Sequence, residues 1–342
     1  MTLEVEERMA SEVEEAGLLS DDEELPEEDQ FGRAAYLRAC AKMGISPASQ
    51  VLKFLETSEM HIHHYGLGLK GTLALVEALK VNSIITSVRL TNNNIPDEGL
   101  AALVECVATR PHVIDLDASG NKIGSATARA LSVWLGQRGV PLQSLMLSHM
   151  HLGDKDGALV CAALENNDGL RMLDMSNNAL GEKSAVALAA SLQTNLMLMD
   201  LNLSWNQFRP KGVAHLAQGL KPNLSLQLLG LAWCGMADAG AEAFGEMLVL
   251  NQRLADIDLC GNQITLCGIG ALCAGIAKSK SLAVVALDNN DLREEGGRKL
   301  LEAVEANGGL VKMRLDNTNT SYELRTTIEQ LLAPRLAAQQ AS

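Results

Sequence analysis

The chain has 342 residues, of which 47% are hydrophobic, 20% charged and 3% aromatic, and its formal net charge is −14. This is a folded composition, and a core so poor in rings has to be packed with Leu, Ala, Val, Met and Ile, which suits stacked small units better than one large globule. The acidic balance argues against nucleic acid as a partner, and no run of about 18 apolar residues exists to span a membrane.

The charge is unevenly placed. Residues 1–30 hold thirteen acids and a single base, Arg8, so this head carries −12 and the remainder only −2. A like-charged block repels itself and buries little, so residues 1–30 are expected to form a disordered acidic tail. They also lack the apolar stretch of a signal peptide. Seven cysteines without a C-x-x-C pair argue against a zinc site and suit a reducing compartment, which makes the cytoplasm the expected location. Residues 31–57 read as an N-terminal cap of two short helices. The second is expected to start at Ser46-Pro47, with Ser as the N-cap and Pro at the first helical position.

From about residue 60 one pattern recurs, L-x-L-x-x-N-x-L-x-x-x-G followed by a helical stretch. Its Asn position falls at Tyr65, Asn93, Asn121, Met150, Asn178, Asn206, Cys234, Asn262, Asn290 and Thr318, and eight of the nine spacings are 28 residues and one is 29. Apolar residues five and three before this anchor, such as Leu173 and Met175 or Leu201 and Leu203, have the period-two spacing of a short strand with one buried face. Another apolar residue plugs the core two positions after it: Ile95, Ile123, Leu180, Phe208, Ile264 and Leu292. Asn93, Asn121, Asn178, Asn206, Asn262 and Asn290 stand where the chain leaves the strand, and a ladder of buried amides there satisfies backbone groups that have lost their sheet partners. Cys234 is a small, weakly hydrogen-bonding substitute in the same ladder.

Six residues past the anchor a Gly is expected to start the helix, at Gly71, Gly99, Gly212, Gly240, Gly268 and Gly296. Positions ten and fourteen past the anchor, such as Leu75 and Leu79 or Leu188 and Leu192, then share one buried helix face. Asn82, Asn167, Asn195, Asn223, Asn251 and Asn307 close the helices, where Asn tolerates a left-handed conformation. Each unit is therefore a strand and a helix. A helix is about 10 Å wide and a strand about 4.8 Å, so the stack curves with its strands inside. The expected fold is α/β, a leucine-rich-repeat solenoid or horseshoe of ten repeats of 28–29 residues over residues 58–333, with a parallel concave sheet and convex helices. Residues 334–342, after Pro334, are expected to fray.

Catalytic signatures are missing. Gly66-Leu-Gly-Leu-Lys-Gly71 is too short for a phosphate-binding loop, and neither G-x-S-x-G nor H-E-x-x-H occurs. No cofactor is implied. His61 and His63 share the concave face of the first strand and could hold a metal, but no third ligand sits beside them at repeat spacing, so polar cover of an end strand is the plainer reading. Trp205 and Trp233 lie one repeat apart, each one residue before its anchor. They are expected as neighbours at the exit rim of the concave face, either as binding anchors or as a stack that covers the rim. Positions six, four and two before the anchor face the concavity. From the third repeat to the ninth they bring Asp115, Asp117, Asp174, Asp200, Asp256, Asp258 and Asp288, with no Lys or Arg. Met146, Met172 and Leu228 are their apolar neighbours, and Arg89, Lys312 and Arg314 mark the two ends.

The long repeat, the Asn/Cys alternation and the helical second half resemble the ribonuclease-inhibitor-like leucine-rich-repeat family over about four fifths of the chain. Within it, Tyr36-Leu-Arg-Ala-Cys-Ala-Lys-Met-Gly-Ile-Ser-Pro and His64-Tyr-Gly-Leu-Gly-Leu-Lys-Gly71 look like the leucine-rich-repeat-containing protein 74 group, which is similar to repeat proteins of cilia and flagella. The resemblance implies a non-enzymatic, protein-binding scaffold, ciliary or cytoskeletal, and names no partner. Asp before the second apolar strand residue is common in this repeat type, so the concave acids are either consensus or a surface for a basic, partly apolar partner protein. Two alternatives remain. One is a GTPase-activating protein of the Ran-activator type, although there the acidic segment usually follows the repeats. The other is an inhibitor of a basic enzyme, although such inhibitors are far richer in Cys.

Overall fold

The computed structural model describes residues 30–340, so the acidic tail read from residues 1–30 lies outside the described residues apart from Gln30. Ten three-residue strands pair in parallel in chain order as one sheet. They are β1 (Glu59–His61), β2 (Ser87–Arg89), β3 (Asp115–Asp117), β4 (Ser144–Met146), β5 (Met172–Asp174), β6 (Asp200–Asn202), β7 (Leu228–Gly230), β8 (Asp256–Asp258), β9 (Val284–Ala286) and β10 (Lys312–Arg314). Two helices precede the sheet, α1 (Arg33–Met43) and α2 (Ser49–Phe54). A helix follows every strand: α3 (Gly68–Leu79), α4 (Asp97–Ala108), α5 (Ser125–Leu135), α6 (Asp154–Ala163), α7 (Glu182–Thr194), α8 (Arg209–Leu220), α9 (Ala237–Leu250), α10 (Leu266–Lys278), α11 (Arg293–Ala306) and α12 (Tyr322–Gln340). This is the leucine-rich-repeat solenoid expected from the spacing.

The register follows from the buried middle residue of each strand. Met60, Val88, Leu116, Leu145, Leu173, Leu201, Leu229, Ile257, Val285 and Met313 stand side by side across the sheet. All ten are buried, as are the helix residues that meet them, such as Leu188, Leu192, Leu216 and Leu220. The apolar side chains form one continuous core from Tyr36 to Leu332. A one-residue slip would turn the whole row into the concavity, which fixes the register.

Asparagines hold the strand exits and the helix ends of most units. At the strand exit, Asn178 Oδ1 accepts the backbone N–H of Met150 and Leu152 at 3.0 Å each, and its Nδ2 donates to the carbonyls of Leu147, Met175 and Ser176. Asn93, Asn121, Asn206, Asn262 and Asn290 repeat this bridge between neighbouring units. Cys234 donates its thiol to Leu203 O at 3.2 Å and Ala232 O at 3.5 Å. Burial pushes that thiol up to about 12, so it stays protonated and can donate.

The helix-end asparagines depart from expectation. Asn195, Asn251 and Asn307 have φ of −70°, −70° and −93°, so none is left-handed. They form a second buried ladder instead. Asn251 Nδ2 donates to Leu220 O at 2.6 Å and Asn223 O at 3.2 Å, while its Oδ1 accepts the N–H of Arg253 and Leu254 at 2.8 Å each. Asn82, Asn167, Asn195, Asn223 and Asn307 do the same.

Helix starts also differ from the sequence reading. The glycines six past the anchor lie inside the first turn, because the helices begin two or three residues earlier. A Cβ on Gly99 would stand 2.9 Å from Ile95 Cγ2, and one on Gly240 would stand 2.5 Å from Met236 Cγ. The glycine makes room for the apolar plug of its own repeat. Four helix N-termini take a carboxylate from the preceding repeat. Asp97 accepts the N–H of Gly124, Ala126 and Thr127 at the start of α5. Asp154 accepts those of Gly181, Lys183 and Ser184 at α7, Asp238 caps α10 through Thr265, and Glu294 caps α12 through Ser321. Anions at helix N-termini satisfy orphan donors and the helix dipole together.

The N-terminal cap places its second helix at Ser49, not Ser46. Tyr36 lies buried beneath it and its hydroxyl accepts Ala48 N–H at 3.0 Å, which keeps Ser46-Pro47-Ala48 outside the helix. At the other end α12 runs through Pro334 to Gln340, so the stretch expected to fray is helical that far. Arg335 donates to the carbonyls of Val304, Asn307 and Leu310, tying the helix back onto α11 and the loop that follows it.

Candidate binding face

The first and third residues of each strand point into the concavity. Across the first position the order is Glu59, Ser87, Asp115, Ser144, Met172, Asp200, Leu228, Asp256, Val284 and Lys312; across the third it is His61, Arg89, Asp117, Met146, Asp174, Asn202, Gly230, Asp258, Ala286 and Arg314. The parallel pairing therefore brings the sequence-predicted acids and apolar residues onto one surface.

That surface is less uniformly acidic than the sequence suggests, because the arginines at its ends reach inward. Arg89 pairs with Asp115 at 2.7 Å, and Arg314 pairs with Asp258 at 3.2 Å and Asp288 at 3.1 Å. Burial would raise Asp115, but bonds from Ser87 and Arg89 hold it below the ordinary carboxylate range. Asp117 and Asp174 accept the backbone N–H of Ser119 and Ser176, and Asp174 also takes Asn202 Nδ2 at 3.3 Å. Among the described residues, no hydrogen bond or ion pair reaches the carboxylates of Asp200 and Asp256. Partial burial raises both above the ordinary range, helped by Asp174 at the first and Asp258 at the second. The uncompensated charge is thus concentrated between β5 and β8. Leu228 lies between the two unpaired acids and Met172 beside Asp200; they are 41% and 38% exposed.

Trp205 and Trp233 stack at the exit rim with ring centroids 4.9 Å apart and planes 16° from parallel. Their backbones are left-handed, with φ of 60° and 57°. In the other eight repeats the same left-handed position is filled by His64, Asn92, Gly120, His149, Asn177, Gly261, Asn289 and Asn317. Gly, Asn and His tolerate this conformation; a bulky aromatic is an outlier there. Gly261 completes the arrangement, since a Cβ on it would stand 2.3 Å from the Trp233 ring. Trp233 is therefore sandwiched between Trp205 and the Gly261 backbone. The two indoles are 52% and 42% exposed.

His61 and His63 stand edge to face, 6.2 Å between ring centroids, with His61 bonded to Glu59 and His63 to Thr91. Among the described residues no group of three or more His, Cys, Asp or Glu is placed to hold a metal ion, and no helix is long and apolar enough to cross a membrane. Six of the seven free cysteines are buried, and Cys267 is exposed.

The family model described as Leucine Rich repeat matches residues 81–104, 194–217 and 223–245. Among solved structures, the chain is similar to Leiomodin-1 Actin-Binding Site 2, at 20% identity and a TM-score of 0.36, covering 39% of this chain and 78% of that one. It is also similar to the tropomodulin C-terminal domain of Caenorhabditis elegans, at 14% identity and a TM-score of 0.38, over 54% of this chain and 98% of that one. The structure of the Rad7 and Elc1 complex in yeast is similar at 12% identity and a TM-score of 0.46, over 96% and 89% of the two chains. With every score below 0.5, the functional reading rests on the chain's own surface.

Proposed function

We propose that this protein is a non-enzymatic scaffold whose concave sheet and Trp205–Trp233 rim bind a protein with a basic, partly apolar surface. The observation that carries this reading is the indole pair. Each Trp occupies backbone that costs about 1–3 kcal/mol for such a residue, and each still leaves about half of its surface exposed at the rim. A half-exposed aromatic pair at the exit rim of an acidic concave sheet fits a binding rim better than a structural stack. Asp117, Asp174, Asp200 and Asp256 would attract a cationic surface and speed encounter, while Met146, Met172, Leu228 and the indoles supply the area that loses water. A ciliary or cytoskeletal setting in the cytoplasm belongs to this reading through the resemblance of the N-terminal cap.

The test is affinity capture from extract of ciliated cells with the wild type, Trp233→Ala and the double variant Asp174→Lys/Asp200→Lys. Asp258 is left alone because Arg314 already pairs with it. Both variants are expected to stay folded, with a cooperative melt, and to lose a shared set of captured proteins. Recovery of every wild-type partner at wild-type salt resistance by both would overturn the assignment of the concave face.

A further inference from the structure

The row Met172, Asp200, Leu228, Asp256 and Val284 alternates apolar and acidic side chains on five successive strands. Adjacent strands are about 4.8 Å apart, so like side chains recur about every 9.6 Å along the groove. At both ends the alternation stops. Asp115 and Ser144 hold the row's positions on β3 and β4, and Lys312 on β10. Among the described residues, the carboxylates of Asp200 and Asp256 have neither a hydrogen bond nor an ion pair, and Leu228 between them is exposed.

A ligand has to match this step to satisfy both acids at once. An extended segment laid along the groove presents side chains to one face about every 6.7 Å, and falls out of step by nearly 2 Å per strand. A helix presents them every three or four residues, about 5.3 Å on average, and drifts by about 0.5 Å per strand. Cations seven residues apart on such a helix are about 10.5 Å apart, close to the separation of Asp200 and Asp256. Its apolar residues at the alternate half-steps then meet Met172, Leu228 and Val284.

We infer that this row seats an amphipathic helix of the partner, lying across β5 to β9, with basic residues seven positions apart and apolar residues midway between them. The inference rests on the proposed binding role of the concave face and specifies what occupies it.

The experiment uses the full chain and three labelled synthetic peptides of about 18 residues and identical composition. The first carries Leu at positions 1, 8 and 15 and Lys at positions 4 and 11. The second is an equally helical permutation with its two Lys moved to the opposite face. The third alternates its Lys and Leu for an extended conformation. Binding is read by fluorescence anisotropy at two salt concentrations. The first peptide is expected to bind at least about tenfold more tightly than either control, and Asp200→Asn and Asp256→Asn are each expected to weaken it by about tenfold. The same substitutions are expected to leave the controls unchanged. Equal binding of all three peptides would overturn the inference, because charge alone would then account for the contact. Preference for the extended peptide would overturn it equally. So would failure of all three to bind while proteins captured from extract still depend on Asp174, Asp200 and Trp233. That last outcome removes the helix and leaves the binding face standing.

Discussion

Replacing Asn178 by Leu tests the strand-exit ladder at a position with five side-chain hydrogen bonds. The amide accepts two buried N–H groups, of Met150 and Leu152, and donates to Leu147, Met175 and Ser176. Leucine is close in size but can make none of these bonds. Each stranded donor costs about 1–3 kcal/mol, and the gain from a larger apolar side chain offsets part of it, so Asn178→Leu is expected to destabilise by about 3–5 kcal/mol. The repeat at Cys234 shows that a thiol can occupy the slot while donating to two carbonyls. Asn178→Cys keeps donation to the carbonyls of the slot though not acceptance of both N–H groups, and is therefore expected to cost less than Asn178→Leu. Urea unfolding followed by far-ultraviolet circular dichroism measures both, with the slope checked for a change of cooperativity, since each repeat packs mainly against its neighbours. A Leu variant within about 1 kcal/mol of wild type, or a Cys variant as damaged as the Leu variant, would refute the ladder's role.

Three further outcomes are expected. Asn251→Gly should lower stability by about 2–4 kcal/mol in the same urea assay, because the amide acts through four bonds; a loss of only a few tenths would restore the left-handed reading of that position. Asp154→Ala should cost about 1–3 kcal/mol at neutral pH. The native carboxyl titrates below the ordinary range, against the pull of burial, because Ser184, Gly181 and Lys183 bond to it; its contribution is therefore present above the ordinary Asp range and is lost as pH falls through the lowered value, so melts of variant and wild type should converge in acid. Asp200→Asn should behave oppositely: the native state holds this proton to higher pH than the unfolded chain does, so ionisation at neutral pH destabilises wild type, and the variant should melt higher at pH 7 with the difference vanishing below about pH 4.

The repeat architecture was legible because its two signals are redundant. Period-two apolar pairs such as Leu173 and Met175 mark the strands, and the 28-residue spacing stacks them in parallel. What escaped the sequence lies between repeats. Asn251 at a helix end looks like a C-cap by local rules, and only the neighbouring repeat reveals that Leu220 and Asn223 need its amide. Asp154 caps a helix that begins 28 residues later, beyond the reach of any capping pattern read within one unit. Strand position placed the concave acids correctly. It could not show that Arg89 and Arg314 are long enough to pair with Asp115, Asp258 and Asp288, and so to move the unpaired charge to Asp200 and Asp256. The adjacency of Trp205 and Trp233 follows from their spacing, whereas their left-handed backbone and the gap that Gly261 leaves for the second ring required the structure.

The stacked indoles also give the protein an optical signature of its own. The remaining tryptophan, Trp134, is buried at 2% exposure in α5, and the other two face solvent at the rim. Emission from Trp134 therefore reports the convex helices and stays blue, while that of Trp205 and Trp233 is red-shifted and open to aqueous quenchers. Two indoles 4.9 Å apart and nearly parallel couple their electronic transitions, so the pair adds an exciton couplet to the dichroism spectrum. A ligand that parts the rings or covers their exposed surface changes that couplet without touching Trp134. Occupancy of the rim and integrity of the solenoid can thus be followed separately in one unlabelled sample.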